Sequence, residues 1–244
     1  MRSSEFVNEK WTAKYKRSIN CKNPKGFSQR AHCQGRKKKT NEDEDVSKFV
    51  KNKLKAAGYK FIGSGYDAQV WMKDEGTVVK ILLPKEDNSA HDTFKTFYQI
   101  SKKLNSPNLP QFKQVDGNEV YNFTINNQPF VQYGMEQLYP LDKGSLDEYV
   151  VWMLADYSAK QTDWKDVVKS ISKDSGKGYY PNAEKLQKEF IAQNASKMRE
   201  YEIFYNTLRK LHSVGNKRGY GWDPHTENVM QRNDGTLVIT DPWA

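Results

Sequence analysis

Four short stretches carry the residue types that phosphate and metal chemistry need. The first, Gly63-Ser64-Gly65-Tyr66-Asp67-Ala68-Gln69-Val70, lies between two runs of strand character. Glycines there would let the backbone approach a triphosphate closely and aim N–H groups at it. A hairpin with a flexible tip is the plainer reading, and Ala68 stands where a third glycine would be expected. The second is Lys80, within Val78-Val79-Lys80-Ile81. An ammonium flanked by apolar residues on a buried strand needs an anionic partner, because burying it unpaired is costly. Phosphate oxygens would serve; a snorkelling edge lysine is the alternative. The third is Gly221-Trp222-Asp223-Pro224-His225-Thr226-Glu227-Asn228. An aspartate and an asparagine five apart in a loop suit a proton acceptor and a metal ligand. The fourth is Asp241, after Leu237-Val238-Ile239 and 13 residues beyond Asn228. A carboxylate at a strand end facing the Asn228 side chain can hold Mg²⁺ with oxygen ligands. Taken singly, Asp223 and Asp241 read as turn residues and Asn228 as a cap. Order, spacing and placement together favour the chemical reading.

Positioning these side chains requires an ordered set of elements. Val46 to Ala57 has a helical pattern. Phe61-Ile62 leads into the glycines, Ala68–Met72 returns as a strand, and Glu75-Gly76 turns into a strand over Thr77–Leu83. Phe94, Phe97, Tyr98, Ile100 and Leu104 put most of their side chains on one face of a helix over Ser89–Leu104. Short strands are expected at Gln111–Val115, Val120–Ile125 and Phe130–Glu136. A helix starts at Ser145, and the Lys-, Ser- and Gly-rich residues 169–178 read as an exposed loop. Pro181–His212 is one long amphipathic helix or a broken pair. Asn233-Asp234-Gly235 between Val229–Gln231 and Thr236–Thr240 is a strong hairpin signal. Strands early, helices late and a closing hairpin indicate an α+β fold in two lobes.

Composition limits the function classes. The chain has 244 residues, 36% hydrophobic and 13% aromatic, enough for a substantial core and against disorder throughout. No apolar run is long enough to span a membrane, and the N-terminus lacks the apolar stretch of a secretory signal. Two cysteines make no disulfide framework, which fits a reducing compartment. The net charge of +9 is uneven: residues 1–39 hold 12 of 39 basic and 2 of 30 acidic side chains, a net of +10, leaving −1 for the rest. A nucleic-acid-binding reading of the whole chain is therefore weak, and a basic arm on a neutral domain is the better description. Sharp charge reversal from Arg36-Lys37-Lys38-Lys39 to Glu42-Asp43-Glu44-Asp45 marks a linker, with the domain boundary near residue 45. Arm and body are expected to behave independently. Trp11, Tyr15 and Phe27 in the arm could stack on nucleic-acid bases or meet a packaging partner. Cys21, His32 and Cys33 give three zinc-type ligands where a closed site wants four.

With these motifs in view, residues 46–244 resemble the protein-kinase-like superfamily. Gly63, Ser64, Gly65 and Val70 match its Gly-rich loop, Lys80 its strand lysine, Asp223 its catalytic-loop aspartate, and Asn228 and Asp241 its metal-binding pair. Met135-Glu136-Gln137-Leu138 looks like the gatekeeper and hinge, whose backbone at Glu136 and Leu138 would meet adenine. The Asp-x-His-x-x-Asn form at Asp223, His225 and Asn228 is nearer to aminoglycoside-phosphotransferase-like kinases. Asn108-Leu109-Pro110, Met135–Leu141 and Val238–Trp243 are similar to small kinase-like proteins of tailed bacteriophages, and the segment from Lys14 to Cys33 resembles one found in otherwise unrelated phage proteins.

The resemblance implies a two-lobed α+β kinase-like fold with a shortened C-terminal lobe. Its small lobe would span about 46–136 and its large lobe about 140–244, after a poorly ordered arm and linker at 1–45. It further implies an ATP- and Mg²⁺-dependent phosphotransferase, with Asp223, Lys80 and His225 as catalytic residues, or a pseudokinase serving as a nucleotide-binding or structural phage protein. Partners would be a nucleotide, a phosphate acceptor or a phage or host protein, and a polyanion on the arm, in the host cytoplasm or the virion. Gly221-Trp222 and Pro242-Trp243 depart from the family pattern, and no acid on the helix over Ser89–Leu104 stands out as the partner of Lys80.

Overall fold

The computed structural model describes residues 41–65, 68–84, 89–125, 127–176 and 180–243. The chain divides into two units, Met1–Lys53 and Leu54–Ala244. Of the first, the structure describes residues 41–53, which lie in helix α1 (Asn41–Ala56). This helix starts five residues before the expected Val46, so the acidic run forms its first turns and is not an extended linker. Acidic residue types suit that end of a helix. The basic arm at 1–39, with Cys21, His32 and Cys33, lies outside the described residues.

The second unit opens with strands β1 (Lys60–Ser64), β2 (Ala68–Asp74) and β3 (Thr77–Leu82), then helix α2 (Ser89–Leu104) and the hairpin β4 (Val120–Ile125) and β5 (Gln128–Glu136). They form one antiparallel sheet in the order β1-β2-β3-β5-β4. Val79 and Ile81 are fully buried on one face of β3. The alternate face carries Val78, Lys80 and Leu82, with Lys80 opposite Val70 on β2 and Tyr133 on β5. Helix α2 brings Phe94 and Phe97, at i and i+3, into the core that includes Val78, Leu82, Tyr133 and Met135. The expected strand at Gln111–Val115 is absent. That segment makes single bridges, Phe112 to Met135 and Val115 to Asn118, and meets β5 only at Gly134–Glu136, past the end of the pairing with β4.

The rest is mainly helical: α3 (Leu146–Ala159), α4 (Trp164–Lys173), α5 (Ala183–Ile191) and α6 (Ala195–Arg218), with a small sheet of β6 (Tyr139–Pro140), β7 (Val229–Gln231) and β8 (Leu237–Ile239). Ser145 caps α3 by accepting from the Glu148 N–H, as its position before an apolar run suggests. The stretch expected as an exposed loop from residue 169 is helical to Lys173, because Val167 and Ile171 bury one side of α4 while Lys169 and Lys173 face water. Pro181–His212 is the broken pair: Asn194 ends the first helix's exit and caps α6 by accepting from Lys197 N–H. Tyr201, Phe204, Tyr205, Leu208 and Leu211 form the buried stripe of α6, each at most 1% exposed. The α+β class expected from the sequence is therefore what the chain adopts.

Candidate active site

Lys80 and Asp241 meet. Lys80 Nζ donates to Asp241 Oδ2 at 2.7 Å, joining β3 to the segment after β8 across 161 residues. The lysine side chain is 13% exposed and the carboxylate 33%. The anionic partner that the sequence required for Lys80 is thus an acid of the expected metal-binding set. The one acid on α2, Asp92, is exposed. In its place Phe94 faces the lysine, with Nζ 4.0 Å from the ring centroid.

Asp223, His225 and Asn228 form a second cluster. The loop that holds them leaves α6 at Gly219, whose left-handed backbone (φ 75°) ends the helix. Asp223 N–H donates to Pro242 O at 3.0 Å, and Trp222 bridges Trp243, so this loop is tied to the residues around Asp241. A short 3₁₀ turn at Thr226–Asn228 follows, capped by His225 Nδ1, which accepts from Glu227 N–H. Asn228 Nδ2 donates to Asp223 O at 2.7 Å and Oδ2 at 3.3 Å, and lies 3.2 Å from His225 Nε2. His225 Nε2 is 3.3 Å from Asp223 Oδ2. Thr240 donates its N–H and its hydroxyl to Asn228 O, at 2.8 and 3.0 Å, which sets Asp241 one residue from a bond to Asn228. Asp223 and His225 side chains are 42% and 48% exposed, open to an incoming molecule where Lys80 is not.

The donor set fits a hard divalent cation. The Asn228 amide nitrogen is committed to Asp223, and Asp241 uses one oxygen on Lys80. That leaves Asn228 Oδ1 and Asp241 Oδ1 without a hydrogen bond among the described residues. Both are oxygens of the kind Mg²⁺ and Ca²⁺ take. No group of three or more His, Cys, Asp or Glu suited to a metal occurs among the described residues, so asparagine is needed to complete any such site.

Of the Gly-rich stretch, Gly63 and Ser64 lie on β1, opposite Val70 and Gln69, and Gly65 N–H donates to Ala68 O at 2.9 Å. A Cβ on Gly63 or Gly65 would meet nothing within 4 Å, and neither has positive φ. Among the described residues no internal contact demands glycine there, and the space beside the backbone is open. Val70 is half-buried on β2 and packs on the core. Glu136 is tied into the structure by its N–H and its side chain. Its N–H donates to Gln111 O, and its carboxylate accepts from Arg232 Nη2 at 2.7 Å and Nε at 2.9 Å. Arg232 also donates to the carbonyls of Pro107 and Leu109, so the side chain works as a clamp on structure, and only the Glu136 carbonyl is left for a base. Leu138 is half-buried between β5 and β6.

Sequence reading missed three residues of the neighbourhood. From the sequence Phe94 reads as part of the core stripe of α2, and Arg232 carries no signal. Gly215 could have been suspected as a glycine inside a helix: a Cβ there would collide with the Trp243 indole. Two shallow cavities, of about 290 and 160 Å³, lie beside Pro107 and Ile203 and include none of Lys80, Asp223 or Asp241.

No family model and no curated protein matches the chain. Among solved structures it is similar to amicoumacin kinase hAmiN, in complex with AMP-PNP, Ca²⁺ and Ami, at 12% identity and a TM-score of 0.35. The match covers 75% of this chain and 57% of that one, so the chain spans a little over half of that structure. At that distance the roles of individual residues rest on the geometry alone.

Proposed function

We propose that the chain is an ATP- and divalent-metal-dependent phosphotransferase. The observation that carries this reading is the Lys80–Asp241 ion pair beside the Asp223–Asn228 cluster, with open glycines on the neighbouring hairpin. Lys80 would exchange or share Asp241 with phosphate oxygens, and the open backbone at Gly63–Gly65 would cover them. Asn228 and Asp241 would hold the cation, which when bound neutralises charge on the transferring phosphate. Asp223 would accept the proton of an acceptor hydroxyl as that oxygen bonds to the γ-phosphorus and the bond to the bridging oxygen breaks, releasing ADP. His225, against Asp223 Oδ2, would orient the carboxylate. Such transfer depends mainly on positioning and charge neutralisation, for which this small set suffices.

Action in a phage-infected cell belongs to the same proposal and rests on the motifs at 108–110, 135–141 and 238–243. A second reading, nucleotide binding without transfer, draws on one observation: α2 supplies no carboxylate to Lys80. Turnover of γ-labelled ATP by the full chain separates the two. Under the first reading Asp223→Asn lowers turnover by about 100-fold or more while nucleotide affinity is kept. Equal turnover in both proteins would remove catalysis.

A further inference from the structure

We propose that the Phe94 ring holds the Lys80 ammonium in position, the part an acidic side chain on α2 would otherwise play. The inference builds on the phosphate-binding role of Lys80 given above. Among the described residues the lysine has two partners, Asp241 at 2.7 Å and the face of Phe94 at 4.0 Å. An aromatic face carries negative potential and attracts an ammonium, more strongly where water is excluded. Both groups meet that condition: Phe94 is 2% exposed and the Lys80 side chain 13%.

The ring is itself fixed. Tyr133 packs edge-on against it at 4.8 Å, and Phe97 at 5.7 Å. Tyr133 lies directly opposite Lys80 in the sheet, so lysine, tyrosine and ring form one packed group on the α2 side of β3. Helical spacing leaves the acid of α2 no access: Asp92 precedes Phe94 by two positions, which turns it to solvent.

The substitution has a chemical consequence. A carboxylate from α2 would neutralise Lys80 and compete with phosphate. A ring holds the ammonium while leaving its full positive charge. When a cation takes Asp241, the ring is the partner that does not change, so Lys80 keeps its place as its counter-charge passes to phosphate. Phe94 is thus a positioning residue acting through Lys80.

The test replaces Phe94 in the full chain with mono-, di- and trifluorophenylalanine, which keep the ring's shape while weakening its face stepwise, and with Phe94→Leu. Two quantities are read: the proton shift of the Lys80 ε-methylene in nucleotide-free protein, assigned with Lys80→Arg, and the Kd of AMP-PNP with Mg²⁺. The wild-type methylene is expected upfield of other lysines, and Phe94→Leu removes the displacement. Affinity falls stepwise along the fluorine series, by about tenfold overall, at nearly constant melting temperature. Flat affinity along the series, or a Lys80 methylene with no upfield displacement, overturns the proposal. Wild-type protein that shows the displacement but binds no nucleotide refutes the phosphate reading of the site, and the Phe94→Leu shift then decides the ring's role by itself.

Discussion

Lys80 is visible in the sequence as a residue needing an anionic partner, for its apolar flanks, and Asp241 as a candidate metal ligand, for its place after an apolar strand. That they satisfy each other was not visible, because the contact closes 161 residues of chain and depends on how β3 and β8 are brought together. Nor was the role of Phe94, since an aromatic in a helical stripe reads as core until something charged is seen above its face. The pairing makes the two residues separable by experiment. Asp241→Ala should abolish the metal-dependent part of the thermal shift produced by AMP-PNP, because a ligand stabilises only the form it binds. Lys80→Ala should weaken the nucleotide by about 10- to 100-fold, the scale of a charge-assisted hydrogen bond, and leave the metal dependence in place. An unchanged, metal-dependent shift in a folded Asp241→Ala protein would make that aspartate a strand-end residue and no more.

Among the elements, those set by local signals were read well and those set by tertiary competition were not. Helix α2 has the bounds that its apolar spacing gave, and the Asn233-Asp234-Gly235 turn joins β7 to β8 as its turn chemistry requires. Gln111–Val115 has strand composition, but it meets only the last residues of β5, Gly134–Glu136, past the pairing with β4, which is too short a contact for a strand. Lysines and serines hid the end of α4, whose register is held by two buried residues, Val167 and Ile171. Helix α6 holds the sharpest case of context overriding propensity. Alanine is ordinarily better than glycine inside a helix by about 1 kcal/mol. At Gly215 the added methyl would run into the buried indole of Trp243, which is fixed by Phe97 and Tyr220. Gly215→Ala should therefore destabilise by about 1–3 kcal/mol, the cost of overpacking, measured by urea unfolding. It should also disturb nucleotide binding, because Trp243 lies two residues from Asp241. A neutral or stabilised Gly215→Ala protein would mean that the indole moves aside freely.

At the scale of the whole molecule, the second unit contains several buried or half-buried tyrosines, and they set how it responds to alkali. Burial pushes Tyr133 and Tyr149 up to about 12, and Tyr205 likewise to about 12. Burial also raises Tyr180 and Tyr201, with the neighbouring Glu148 and Asp147 adding to it. In the unfolded chain these phenols ionise near their ordinary value of about 10. Between about pH 10 and about 12 the unfolded chain has lost protons that the folded chain still holds, so rising pH favours unfolding. The stabilisation from keeping these groups neutral and buried is complete below about pH 10 and is lost as pH climbs through the folded values. Each tyrosine steepens the loss by at most about 1.4 kcal/mol per pH unit. The melting temperature should accordingly be insensitive to phenol ionisation up to about pH 10 and then fall sharply. Tyr133→Phe is the cleanest probe, since its hydroxyl enters no hydrogen bond among the described residues and the ring can keep its contacts with Phe94 and Tyr98. That variant should match the wild type near pH 8 and lose stability less steeply above pH 10, as followed by thermal melts across the alkaline range. Identical slopes for the two proteins would show that the unit unfolds in alkali without passing through ionisation of its buried tyrosine core.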